Sequence, residues 1–126
     1  MSNINIKDVI GSFFRFQLNI KMVHWNTRNH NLHKITDSLY KNVLDLTDRF
    51  VEAYLGNLGD FDMSELKPSC IQVEVLRDNE FRGYLQNVIK SLIVSELYDK
   101  VDRDLRAILD EMLELINTNI YLLRGI

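Results

Sequence analysis

Apolar side chains recur along this chain at the spacing of amphipathic helices. At about 100° per residue, residues 6–24 gather Ile6, Val9, Ile10, Phe13, Phe16, Ile20 and Val23 into one stripe. His24 falls in the middle of that stripe and is expected to face inward, with Trp25 following as a packing residue at the helix end. After a break at Asn26 to Asn31, residues 32–55 place Ile35, Leu39, Val43, Leu46, Phe50 and Ala53 at the same period, in what should be the longest helix. Gly56 and Gly59 then supply a left-handed stop of the kind glycine tolerates best. Residues 57–78, which hold the lone Pro68, are the least regular stretch. Cys70 to Leu76 partly alternates like a short strand, and the whole segment reads as a covering loop.

From Asn79, an N-cap by its chemistry, Phe81, Tyr84, Leu85, Val88, Ile89, Leu92 and Glu96 share a face, and Asp78 and Glu80 add negative charge at the start. Residues 101–123 carry Val101, Leu105, Ile108, Met112, Leu115, Ile116, Asn119 and Leu123 on one side and end near Gly125. Two helices precede the loop, two follow it, and no βαβ pattern competes. The pattern predicts an all-α chain, one domain over residues 1–126, built as a four-helix bundle with a long crossover between helices 2 and 3.

Composition agrees with one domain of 126 residues and removes several function classes. Fifteen Lys+Arg against eighteen Asp+Glu leave a net charge of −3, which lacks the basic footprint of a dedicated nucleic-acid binder. No basic leader precedes an apolar stretch, and no apolar run approaches the roughly 18 residues of a membrane helix. A cytoplasmic, soluble protein with no membrane partner is expected. The single Cys70 excludes an intrachain disulfide and reads as structural.

The residues that carry chemistry cluster early. All three histidines, His24, His30 and His33, lie within ten residues, and carboxylates follow on the second helix. With His33 at zero on the helical wheel, Asp37 falls at about 40°, Asp48 at about 60° and Glu52 at about 100°, almost opposite the core stripe at roughly 200–280°. Leu44, Val51 and Leu55 share this second face, and such a mixture suggests contact rather than open solvent. His33 and Asp37 are four residues apart, as are Asp48 and Glu52, but eleven residues separate Asp37 from Asp48. At about 1.5 Å rise per residue these two lie roughly 16 Å apart, whereas ligands to one ion sit roughly 2 Å from it. They cannot share a metal within one chain. Two copies running antiparallel across a two-fold axis would bring the His33/Asp37 end of each to the Asp48/Glu52 end of the other and make two equivalent sites. His24 would complete the nitrogen side.

The stretch His24-Trp25-Asn26, then His33 and Asp37, then Asp48-Arg49-Phe50-Val51-Glu52 with Leu58-Gly59 beyond, resembles the ferroxidase region of Dps-type mini-ferritins. More loosely, the chain is similar to short ferritin-like proteins of large phages and DNA viruses, in which case the cytoplasm would be that of a host cell. The mini-ferritin resemblance covers residues 20–60 and implies a ferritin-like fold and an intersubunit iron site. His24, His33 and Asp37 would serve one side, with Asp48 and Glu52 on the other. It also implies oxidation of Fe(II) to Fe(III) by peroxide or dioxygen. The mixed nitrogen and oxygen donors suit iron and also admit zinc or manganese. The expected partner is a second copy of the chain, with a dodecameric shell as the larger assembly the family builds. Three departures stand out: a shorter segment between His24 and His33, Ala53 where the family carries an Arg, and no basic tail in residues 1–8. The missing tail argues against DNA binding.

Other readings compete with this one. His30 reads as an exposed residue of the interhelical turn. Asp48 and Glu52 could form a solvated face, partly neutralised by Lys41 and Arg49. Glu96, on an apolar face, is the candidate for an intrachain metal site. The chain has no Glu-x-x-His for an ordinary di-iron bundle, no Gly-x-Ser-x-Gly and no Gly-rich phosphate loop. From a different class, a non-enzymatic helical dimerisation or scaffold module would keep these residues only as a relic.

Overall fold

A computed structural model describes residues 4–58, 62–66 and 71–126, so the expectations for Gly59, Pro68 and Cys70 lie outside the described residues. Helix α1 spans Ile6–Asn26 and starts where Asn5 Oδ1 accepts the Lys7 N–H at 3.1 Å, with Asp8 adding negative charge to the first turn. It stops at Thr27, whose extended backbone turns its N–H back to the Val23 carbonyl. Helix α2, His30–Leu58, begins only three residues later, and Asn29 Oδ1 caps it by accepting the Leu32 N–H at 3.0 Å.

Helix α2 runs through Gly56, which corrects the expected stop there. Among the described residues only Gly125 has a positive φ, at 86°. A glycine inside a helix costs only about 1 kcal/mol against alanine. Here the extra turn is held from outside, where Asn57 Nδ2 donates to Asp104 Oδ2 at 2.8 Å. A short 3₁₀ turn, Met63–Glu65, follows. The strand-like alternation expected up to Leu76 forms no strand among the described residues. The Glu74 N–H is given instead to the side chain of Asn19, at 2.8 Å.

Helix α3, Asp78–Val88, is capped at Arg77 rather than Asn79, with the Glu80 carboxylate accepting the Arg77 N–H at 2.8 Å. It runs into a π-helical turn, Ile89–Ile93, closed by Val94 N–H donating to the Ile89 carbonyl at 2.7 Å. Short helix α4, Glu96–Lys100, then starts at Ser95. The wider turn and the break at Val94 rotate Glu96 off the apolar stripe that a continuous helix would have given it. Its side chain is 88% exposed beside Lys100, so the intrachain site at Glu96 is overturned. Helix α5, Arg103–Leu122, begins after Val101, which is buried in the extended link.

The long helices close a ring of contacts in which α1 packs on α2, α2 on α5, α5 on α3 and α3 on α1. Side-chain bonds fix their directions. Thr27 Oγ1 donates to Asp78 Oδ2 at 2.9 Å, so α3 starts where α1 ends, and Asn57 with Asp104 marks the opposite end, where α2 finishes and α5 starts. Helix α3 therefore runs in the same sense as α2. The result is an all-α, four-helix arrangement around Phe13, Phe50, Phe81, Leu105, Leu109 and Ile116, with Phe13 and Phe50 edge to face at 5.3 Å. Each such side chain removed from water contributes about 1.5–3 kcal/mol. Among the described residues no helix is long and apolar enough to cross a membrane.

Candidate metal centre

The three-residue turn between α1 and α2 presses the end of one helix on the start of the other. His24 is 8% exposed, as its place in the apolar stripe requires. Its Nδ1 lies 2.9 Å from the His33 carbonyl oxygen and 3.1 Å from Thr36 Oγ1. A carbonyl can only accept, so Nδ1 carries a proton, and Nε2 is the ring nitrogen left for another partner. Thr36 is free to accept as well, because its own hydroxyl donates to the Leu32 carbonyl at 2.8 Å.

His33 mirrors this arrangement. Its Nδ1 donates to the His24 carbonyl at 3.0 Å, satisfying one of the acceptors that α1 leaves unpaired at its C-terminus. The two rings stack, with centroids 3.9 Å apart and planes 21° from parallel. Imidazoles that ligate metals commonly tie one nitrogen to a carbonyl in this way and offer the other. His24 Nε2 lies 4.0 Å from Asp37 Oδ1. That is too long for a hydrogen bond, and two donors each about 2.0–2.2 Å from a shared tetrahedral ion would lie roughly 3.3–3.6 Å apart, so the pair would have to close by roughly half an ångström to share one.

Asp37 is already engaged on its other oxygen, where Lys41 Nζ lies 3.2 Å from Oδ2. That hydrogen bond holds the Asp37 carboxyl below the usual carboxylate range against the opposing effect of burial, with the charges of Lys41 and Lys21 adding to it. The half-set of His24, His33 and Asp37 is thus flanked by cationic side chains.

The other half-set has the opposite character. Asp48 and Glu52 are exposed on one turn of α2, and a hydrogen bond between their carboxyl groups, together with the charge of Asp48, pushes the Glu52 carboxyl above its usual range; Asp45 adds to this. The expected neutralisation by Arg49 and Lys41 does not occur. Arg49 reaches across to Glu111 on α5, at 2.8 Å and 3.4 Å, and Lys41 is spent on Asp37. Among the described residues no ion pair involves Asp45, Asp48 or Glu52.

The structure thus stacks His24 on His33 and sets Asp37 4.0 Å from His24, and it places Asp48 beside Glu52 as a separate half-set. Among the described residues no three His, Cys, Asp or Glu groups converge on one point. His30 is exposed, as expected, but as the first residue of α2 rather than a turn residue. Trp25 overturns its expectation, being 69% exposed instead of packed, with Lys21 Nζ 5.4 Å from its ring centroid. Sequence reasoning missed Thr36 and Thr47. Both are buried; Thr47 accepts from Gln17 Nε2 at 2.7 Å much as Thr36 accepts from His24. A signal for them was present, since the dipeptide Thr-Asp occurs at 36–37 and again at 47–48. In each dipeptide the threonine faces α1 and the aspartate turns outward.

No curated protein and no solved structure matches this chain. A model described as a family of unknown function, DUF5856, matches residues 24–123, a span that opens on His24 and takes in all five candidate ligands. Because the match covers most of the sequence, the protein belongs to this family of unknown function, DUF5856.

Proposed function

We propose that this protein is a ferritin-like, Dps-type iron protein of the cytoplasm that oxidises Fe(II) to Fe(III) at two equivalent sites shared across a homodimer. The observation that carries the proposal is the reciprocal locking of His24 and His33, which spends Nδ1 of each on a main-chain carbonyl and leaves Nε2 as the nitrogen that can ligate, with a carboxylate oxygen of Asp37 beside His24. The carboxylates of Asp48 and Glu52, which make no ion pair among the described residues, supply the complementary half. A helix order in which α3 runs parallel to α2 after a connection along the bundle is the one a ferritin-like crossover needs.

Iron is the substrate here. His24, His33 and Asp37 of one chain and Asp48 and Glu52 of the other would hold it, the carboxylates favouring the ferric product. Two Fe(II) ions give one electron each to hydrogen peroxide, whose O–O bond breaks, and two protons complete two waters. With dioxygen as oxidant, the same two electrons and two protons yield hydrogen peroxide. Zinc or manganese would fit the same donors, and storage of a ferric mineral would need the larger, dodecameric shell.

Titration with Fe(II) under argon, read by Trp25 fluorescence and bound-metal analysis, tests the proposal on the native chain, His33→Ala and Glu52→Ala. The native chain should bind and both variants should lose binding. Mixing the two variants places both defects on one site of a heterodimer and restores the other. Equal behaviour of all three chains, or no recovery after confirmed subunit exchange, sinks the proposal.

One observation favours a second reading, a non-enzymatic dimerisation or scaffold module. The imidazole of His33 already has a structural task as the cap of α1, so it would be retained without any metal. Dimer formation with no metal uptake selects this reading.

A further inference from the structure

A groove of about 490 Å³ runs between α1 and α2. Phe14, Leu44, Val51 and Met63 line its apolar part, and Asp45 and Asp48 stand on its rim. Phe14, Leu44 and Met63 are 39%, 37% and 49% exposed, so the described residues leave this surface uncovered. At the other end of the same two helices a large apolar group projects instead. Trp25 is the most exposed aromatic residue of α1, and it continues the stripe of Phe14, Leu18 and Lys21 on that helix.

The positions of this projection and this groove are related by symmetry. The midpoint of His33 and Glu52 and the midpoint of Asp37 and Asp48 coincide, between Asn42 and Val43. A two-fold axis crossing α2 there is the one that makes both pairs meet. Trp25 lies level with the first turns of α2, because its neighbour His24 touches His33 and Thr36. The groove lies level with Leu44 to Val51. At about 1.5 Å rise per residue Trp25 lies roughly 12–14 Å from the midpoint along α2, and the groove spans roughly 2–13 Å on the opposite side, so the two-fold carries the indole to the Val51 end of the groove. Charge follows the same division. Lys21 lies beside Trp25, while Asp45, Asp48 and Glu52 mark the groove end, where no ion pair among the described residues involves them and Arg49 is drawn to Glu111.

We propose that the groove of each chain receives the Trp25 side chain of a second copy, so that the dimer is held by two reciprocal indole-in-groove contacts framed by Lys-to-Asp attraction. The proposal rests on the antiparallel dimer of the preceding subsection and deepens it by naming what holds the copies in register. Seating Trp25 at the Val51 end also carries the adjacent His24 to the carboxylate half-set of Asp48 and Glu52. A buried aromatic anchor in a pocket is the kind of contact on which interface affinity concentrates.

Sedimentation and Trp25 emission on metal-free protein test it, with acrylamide quenching as the measure of indole access. The native chain should be a dimer with a shielded, blue-shifted Trp25. Val51→Glu in the groove and Trp25→Ala should each weaken dimerisation at least about tenfold, and Val51→Glu should expose the indole. Tyr121→Glu, on α5 away from this face, should change neither. If Val51→Glu loses helical circular dichroism, Leu44→Glu takes its place. A native monomer at all concentrations, or a dimer whose Trp25 is quenched as readily as in the groove variant, overturns the proposal. Failure of the iron reading is distinguishable: a dimer with shielded Trp25 that takes up no Fe(II) sinks that reading alone, and iron uptake with a freely quenched Trp25 sinks this one alone.

Discussion

His24 and His33 are hydrogen-bonded each to the main-chain oxygen of the other, at 2.9 Å and 3.0 Å, with their rings stacked between the two helices. The pair therefore has two tasks. It joins the end of α1 to the start of α2, and it fixes which ring nitrogen of each remains available.

Removing one partner separates those tasks. His33→Ala leaves the His24 carbonyl without its acceptor bond to the imidazole, and a hydrogen bond of this type contributes about 0.5–1.5 kcal/mol net. Urea unfolding of the metal-free protein should show a loss of that order. A larger loss would mean that the stacked rings also organise the turn.

The carboxylate pair gives a pH-dependent stability of defined sign. Glu52 has its carboxyl raised above the ordinary value of 4.5 in the folded chain, chiefly by the hydrogen bond to Asp48 and by its charge. The folded state thus holds this proton more tightly than the unfolded state. The pair costs nothing below the ordinary value and becomes destabilising as pH rises through the raised one. Asp48→Asn should therefore raise the melting temperature at about pH 7 and leave it unchanged near about pH 4, in chelated buffer.

Asp37 behaves in the opposite sense. Its carboxyl is lowered from 3.8 by Lys41, so the stability it contributes is present above that value and is lost as pH falls through the lowered one. Lys41→Met should remove this dependence. It should also strengthen divalent metal binding a few-fold, because a monovalent cation no longer competes for Oδ2. Weaker metal binding in this variant would mean that Lys41 assists the site rather than occupies it.

Asn19 is fully buried and joins three elements, donating to the Tyr84 hydroxyl at 2.9 Å and accepting the Glu74 N–H at 2.8 Å. Burial raises the Tyr84 hydroxyl above its ordinary range, and the bond to Asn19 partly offsets this. Asn19→Leu should destabilise the protein by about 1–3 kcal/mol through the orphaned groups. Amide exchange at Glu74 should accelerate with it.

Phe50 is fully buried against Phe13. Phe50→Ala should cost about 3–5 kcal/mol by calorimetry or denaturant unfolding. An intact melting transition at the native temperature would mean that the α1/α2 core repacks around the gap.

The amphipathic stripes were legible from spacing alone, because burial of one helix face imposes a period that the residues must follow. Ile20, Leu39, Phe50, Leu105 and Ile116 all lie in the core where the wheel puts them. The grouping of His33 with Asp37 and of Asp48 with Glu52 was legible for the same reason, since four residues is one turn of any helix. Gly56 and Glu96 were misread where a contact from another element, Asp104 in one case, or a change of helix type, the π turn in the other, overrode the local pattern.

Tertiary packing alone decided which ring nitrogen of His24 and His33 donates to the main chain, the diversion of Lys41 to Asp37 and of Arg49 to Glu111, and the exposure of Trp25. Helical periodicity specifies which side of a helix a residue occupies. Which atom lies beside which, and therefore which charge is left unanswered, depends on how neighbouring helices are joined and turned. In this chain a three-residue link between α1 and α2 sets that choice for His24, His33 and Asp37, and the packing of α2 on α5 sets it for the carboxylate pair.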